Sequence, residues 1–195
     1  MIIKNISKIV QVGIGDKKFI ESKNLDKINT IDDGYIEIEG SKIKDYGSMK
    51  NWKGISDWNN TEIIDAEGGC VFPSFCDSHS HLVFSEPRHK EFVLRIKGHS
   101  YEEIAKQGGG ILNSADSLEK ISENELYDIS LKRLNNVIKY GTGAIEIKSG
   151  YGLSLSSEMK ILRVIKRLKK NTEVKIKSTL LAAHAIPKKY FGKKE

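Results

Sequence analysis

The sequence places its chemistry in a few short blocks, the sharpest being Asp77-Ser78-His79-Ser80-His81. Side chains two residues apart on a strand point to the same face, so His79 and His81 would project together. Paired neutral imidazoles form half of a metal site suited to zinc, iron or nickel. A pair of surface histidines on a strand edge is the competing reading. Pro73 before the strand, the apolar Leu82-Val83-Phe84 after it and the strand–helix pattern downstream favour the metal. Arg88 follows where a loop can return it to a pocket mouth, and a guanidinium suits a carboxylate partner; an exposed loop arginine is the alternative. Tyr151 sits between Gly150 and Gly152, whose backbone freedom could turn the ring inward, or leave it packed on its own turn. His184 follows Leu181-Ala182-Ala183 and is either a core histidine or a donor to developing negative charge. Glu146 and Lys148 share one face of a strand and read as an ion pair in preference to a catalytic couple. The Gly108-Gly109-Gly110 run lacks a following Lys-Ser or Lys-Thr, which argues against a phosphate-binding loop.

These residues need strands and loops to carry them. Residues 1–66 read as β-rich: Ile2, Ile3, Ile6, Ile9, Val10 and Val12 supply strand formers, and Tyr35 to Ile43 alternates around Gly40-Ser41 as a hairpin does. The stretch between, Gly13 to Gly34, is polar, with turn-formers Gly13, Gly15, Asp16, Asp32, Asp33 and Gly34. Residues 67–195 alternate strand and helix. A strand is predicted over Cys76 to Phe84. Ser122-Glu123-Asn124-Glu125 is a capping box opening a helix that Gly141 closes. Strands over Ala144 to Lys148 and Val174 to Ala185 flank a second amphipathic helix over Ser157 to Lys169. That order predicts right-handed βαβ units and a parallel sheet, hence an α/β fold. Three βα steps are expected, the last without its helix. A complete (β/α) barrel needs about 200 to 250 residues, so the 195-residue chain reads as a partial one, cut short.

Composition narrows the rest. With 38% hydrophobic and 30% charged residues the chain is an ordinary ordered one. The net charge of +6 favours acidic ligands. Part of it lies on one helix face (Lys160, Arg163, Lys166, Arg167, Lys170) and part near the end (Lys188, Lys189, Lys193, Lys194). No aromatics interleave that helix face to stack bases, so a solvated surface is expected over nucleic-acid binding. Cys70 and Cys76 fit no metal or disulfide pattern and read as reduced thiols of a cytoplasmic protein. No signal peptide and no membrane span are expected.

Pro73 to His81 resembles the first-strand metal motif of the amidohydrolase superfamily. Further blocks are similar, in order and spacing, to the imidazolonepropionase family: Arg88 to Phe92, Tyr101 to Ala105, Gly108 to Leu112, Glu146 to Leu153, and Ala183-His184-Ala185. The resemblance covers nearly the whole chain and is densest from Pro73 to Pro187. It implies hydrolysis of 4-imidazolone-5-propanoate to N-formimidoyl-L-glutamate in histidine degradation. It also implies one zinc or iron ion, held in a barrel capped by a small β-sandwich. On that resemblance His79 and His81 match two metal ligands, and Arg88, Tyr151 and His184 match positions that hold substrate. Ser74, Ser78 and Ser80 depart from the family pattern at positions that are not ligands. The family's third histidine ligand, its aspartate and its general base have no counterpart in this sequence, so the chain alone is expected to be inactive. The implied partner is a small molecule; a homodimer stays open. Two rival readings remain: another amidohydrolase, such as a deaminase or cyclic amidase without the Ser149-Gly150-Tyr151-Gly152-Leu153 block, and a non-enzymatic basic binding protein.

Overall fold

The computed structural model describes residues 1–10, 20–55, 57–106, 108–182, 184–187 and 192. Val12, Gly13, Gly15, Asp16, Ala183 and the terminal lysines Lys188, Lys189, Lys193 and Lys194 lie outside the described residues. The chain divides into two compact units, Met1–Pro73 and Ser74–Glu195.

The first unit is one sheet of β1 (Ile2–Val10), β2 (Thr30–Glu39), β3 (Lys42–Ser48), β4 (Ile63–Asp65) and β5 (Cys70–Val71). Its order is β3-β2-β1-β4, with β5 also pairing with β1. The predicted hairpin joins β2 to β3, and Gly40 takes φ +60° at its turn, a conformation glycine adopts without steric penalty. Strands β4 and β5 lie parallel to β1. That pairing of Cys70–Val71 carries the unit on to Pro73, past residue 66. Ile6, Ile9 and Ile36 form its core, with Ile3, Ile31, Ile38, Ala66 and Val71 packed around them.

The second unit has a three-stranded parallel sheet in the order β6-β7-β8. Its strands are β6 (Phe75–Ser80), β7 (Thr142–Lys148) and β8 (Lys175–Thr179). Helices α1 (His89–Ile96), α2 (Tyr101–Lys106), α3 (Ile111–Lys120) and α4 (Glu123–Lys139) lie between β6 and β7, and α5 (Leu155–Lys170) joins β7 to β8. The capping box forms as read: the Glu125 amide donates to Ser122 Oγ, and the Ser122 amide donates to Glu125 Oε2, each at 3.2 Å. Gly141 ends α4 at φ +93°. The α4–α5 pair covers the sheet with apolar faces. Leu126, Leu134, Ile161, Val164, Ile165 and Leu168 meet Ile145, Ile147 and Ile176 in one core.

Two strands are shorter than the sequence predicts. β6 stops at Ser80 instead of Phe84, and β8 at Thr179 instead of Ala185. Leu82 and Val83 are buried, which accounts for their apolar character without any strand pairing. After β8, the Leu181 amide donates to Ser149 Oγ at 3.1 Å, a side chain in place of a neighbouring strand. Helix α2 carries a second capping box that the sequence reading passed over. The Ser100 amide donates to Glu103 Oε2 at 2.7 Å, and the Glu103 amide to Ser100 Oγ at 3.2 Å.

Candidate active site

The C-terminal ends of parallel strands release the chain into loops without pairing partners, which is where α/β hydrolytic sites are built. Here three such ends lie side by side. His79 stands on β6 and His81 just beyond it. Between Asp77 and Ser80 the register of β6 against β7 slips, a bulge of the kind that re-aims side chains. The two imidazoles still converge, with ring centroids 5.5 Å apart and planes at 61°. Tyr151, from the loop after β7, stacks on His81 at 4.6 Å with planes 20° apart. His184, from the loop after β8, lies 5.7 Å from His81 and 6.1 Å from Tyr151. Four of the five site residues read from the sequence therefore meet around His81.

Arg88 does not join them among the described contacts. It caps the start of α1, where its guanidinium approaches Glu91 at 3.6 Å. It lines a cavity of about 450 Å³ with Glu91, Leu94, Asn113 and Ser117, and none of the four clustered residues borders that cavity. Chain proximity to His81 fixes how far Arg88 can reach, not which way the intervening loop turns.

Electrostatics around His81 favour the neutral ring. Burial, first, and then the neighbouring His184, His79 and Lys148 hold its pKa below the usual histidine value, with the Ser149 backbone acting in the opposite direction. A neutral imidazole is the form that binds a metal. His81 Nδ1 is buried and has no hydrogen-bond partner, an orphan nitrogen that a cation would satisfy. The donor chemistry thus fits a metal ion. The set is incomplete: among the described residues no three His, Cys, Asp or Glu side chains come together as a metal site. A catalytic mononuclear centre takes about three protein ligands and a water. On the same sheet face Lys148 Nζ and Glu146 Oε1 pair at 2.7 Å, as read from their spacing, and Thr179 Oγ1 also donates to that carboxylate. Lys148, followed by Thr179, holds the Glu146 carboxyl below the usual range.

Sequence reasoning missed the groups that hold the loops. Arg133 on α4 reaches over to the segment after His81, donating to the Phe84 carbonyl and, at 3.2 Å, to that of Ser85. Its guanidinium also lies 3.5 Å from the centre of the Phe84 ring. Glu158, 7% exposed on the first turn of α5, accepts from the backbone of the Tyr151 loop. The one signal available for it was an acidic residue in the first turn of a helix that follows a Gly-Tyr-Gly loop.

No family model matches the sequence. Among its curated relatives are imidazolonepropionases. That of Christiangramia forsetii is 47% identical over 190 residues, covering 97% of this chain and 46% of the relative. That of Clostridium tetani is 39% identical over 195 residues, covering 100% and 46%. The chain matches the N-terminal portion of imidazolonepropionases. It spans about half the length of the curated imidazolonepropionases it resembles. Among solved structures, a zinc-bound atrazine chlorohydrolase from Arthrobacter aurescens aligns with TM-score 0.54 at 13% identity, over 92% of this chain and 35% of that one. An uncharacterised metal-dependent hydrolase from Pyrococcus furiosus aligns with TM-score 0.54 at 14% identity, over 92% and 49%. At such identities the likeness is one of fold alone.

Proposed function

We propose that the chain carries the metal-binding first part of an enzyme that hydrolyses 4-imidazolone-5-propanoate to N-formimidoyl-L-glutamate in histidine degradation. The observation that carries the reading is the meeting of His79, His81, Tyr151 and His184 at adjoining strand ends, in a sequence 47% identical to imidazolonepropionases. In this reading β6, β7 and β8 are the first three strands of a (β/α) barrel. The N-terminal sheet is part of a small β-sandwich, and the setting is the cytoplasm.

His79 and His81 would hold one zinc or iron ion, His81 through the nitrogen its surroundings leave unsatisfied. The ion, when bound, supplies Lewis-acid polarisation of the ring carbonyl and a nucleophile at neutral pH. The overall step adds water across the lactam C–N bond. Oxygen ends on the carbonyl carbon as a carboxylate, and the ring nitrogen leaves with a proton as part of the formimidoyl group. His184 would donate a hydrogen bond to the oxygen as negative charge develops. Tyr151 fixes the His81 ring by stacking on it. The propionate carboxylate is matched to Arg88 by the family resemblance alone, since its guanidinium lies 3.6 Å from Glu91 beside a cavity that the four clustered residues do not border.

The rival reading of a basic nucleic-acid binder loses support from the face it would use. Lys160 Nζ donates to the Leu118 and Ile121 carbonyls at 2.9 and 2.7 Å. Arg163 pairs with Glu123 at 2.7 Å, and Arg167 bonds Asn124 at 2.9 Å and covers the Tyr127 ring. These cations are engaged within the chain, and a small-molecule partner accounts better for the site.

Zinc titration of the purified chain tests the assignment. His79→Ala and His81→Ala should each weaken zinc binding at least about tenfold, and unchanged affinity in both would overturn it. The 195 residues alone should not turn over 4-imidazolone-5-propanoate, since they bring two ligands where about three are needed. Metal-dependent turnover at the rate of an imidazolonepropionase of full length would refute that account. A panel of other cyclic amides and of aminated heterocycles separates the substrate from those of other amidohydrolases.

A further inference from the structure

We infer that Glu158 is the positioning residue that sets Tyr151 against His81, acting through the backbone of the Gly150–Leu153 loop. The inference rests on the proposed metal site and adds a residue outside it. Glu158 sits on the first turn of α5, is 7% exposed, and uses both carboxylate oxygens on one loop. The Gly150 amide donates to Oε2 at 2.9 Å, and the Gly152 and Leu153 amides donate to Oε1 at 2.7 and 3.1 Å. Tyr151 lies between these tethered amides.

The loop would not hold this shape unaided. Leu153 has φ +52°, a left-handed conformation that a bulky side chain resists, and it is buried. Gly150 has φ +120°, and a Cβ there would lie 3.1 Å from the Leu181 carbonyl oxygen and 3.3 Å from His184 Cβ. At Gly152 a Cβ would stand 2.5 Å from the Glu158 amide nitrogen and 2.7 Å from the Ser157 carbonyl carbon. The loop is pressed onto the start of α5, and the hydrogen bonds of its inward amides are buried. A carboxylate, accepting on both oxygens, is the side chain that satisfies them together, and the helix N-terminus favours its negative charge. Glutamine at 158 would turn an NH₂ toward at least one of these N–H groups whichever way its amide is flipped.

The test compares wild type, Glu158→Gln and Gly152→Ala by NMR and zinc titration on the whole 195-residue chain. Glu158→Gln should raise hydrogen exchange at the Gly150 and Gly152 amides about tenfold or more. It should also abolish the Tyr151–His81 ring contacts and leave exchange at Ile147 and Leu168 unchanged. Gly152→Ala keeps the carboxylate, forces the loop off it, and should give the same loss of ring contact. If Glu158→Gln does not fold, the Gly152→Ala spectrum alone decides. Uniformly faster exchange through the core, or intact Tyr151–His81 contacts in either folded variant, would overturn the inference. Zinc affinity separates it from the metal-site reading. A wild type that binds no zinc while its loop responds as stated removes that reading and leaves the positioning of Tyr151 standing.

Discussion

The segment that follows His81 depends on one side chain, and replacing it gives a measurable loss. Arg133 bonds the carbonyls of Phe84 and Ser85 and reaches toward that of Leu82, while its guanidinium covers the Phe84 ring. Leu82, Val83 and Ser85 are buried, so water does not easily replace the lost donor. An unsatisfied buried acceptor costs about 1–3 kcal/mol, and the ring contact is worth about 0.5–2 kcal/mol. Against this stands the cost of burying the cation, visible in the Arg133 pKa, which burial alone pulls below its ordinary value. With that offset, Arg133→Met should destabilise the Ser74–Glu195 unit by about 3 kcal/mol, a fall in Tm of about 10 °C. Arg133→Lys keeps the charge but not the fork that reaches two carbonyls, and should lose about half as much. Urea unfolding followed by circular dichroism gives the free energies. Amide exchange at residues 82–85 shows whether the loop loosens before the core does. A methionine variant within about 1 kcal/mol of wild type, or with unchanged exchange in that loop, would refute the reasoning.

Other perturbations follow from the same geometry. Leu168→Ala removes a fully buried side chain between α5 and the sheet and should cost about 2–5 kcal/mol in chemical denaturation. Ser122→Ala removes the α4 cap and should cost about 1 kcal/mol. That difference depends on pH, because the Ser122 side chain and then its backbone hold the Glu125 carboxyl below the usual range. A depressed folded pKa contributes stability that is present above the unfolded value of about 4.3 and lost as pH falls through the folded value. The gap between wild type and Ser122→Ala should therefore narrow below about pH 4; a gap constant from pH 7 to pH 3 would contradict it. Lys160→Met leaves the carbonyls at the end of α3 without their ammonium donor, and proteolysis at residues 118–122 should become faster while α4 stays intact.

The sequence carried α4, α5, the hairpin and the convergence of His79 with His81, each for a physical reason, whereas the short helices α1, α2 and α3 were not read from it. Capping boxes and period-3.6 faces are local codes, so α4 and α5 fall close to their predicted ranges. His79 and His81 were legible because two-residue spacing survives small changes in backbone, even a bulge between Asp77 and Ser80. Strand ends were less legible, for an apolar run reports burial and not pairing. Leu82-Val83 lies in the loop after β6 and is buried in the core, so reading it as strand extended β6 too far. Arg88 shows the same limit in a polar residue: its position is set by the turn into α1, which no spacing rule specifies.

What those rules lack is the partner of each backbone group that a site leaves unpaired. A sheet that opens into loops at its strand ends gives up ladder hydrogen bonds there, and buried amides and carbonyls must find others. In this chain they find side chains from elsewhere in the fold. Glu158 takes the amides of the loop after β7, Arg133 the carbonyls after β6, and Ser149 Oγ the Leu181 amide after β8. Ser80 Oγ donates across to the Glu146 carbonyl at 2.9 Å, where the ladder itself slips register. Glu158, Arg133 and Ser149 are far in sequence from the loop they hold or lie on the next helix, Ser80 stands between the two histidines, and none is itself a reactive group. Geometry at the strand ends is thus held by residues that a search for catalytic side chains passes over. Their substitution should move the aromatic cluster without touching it.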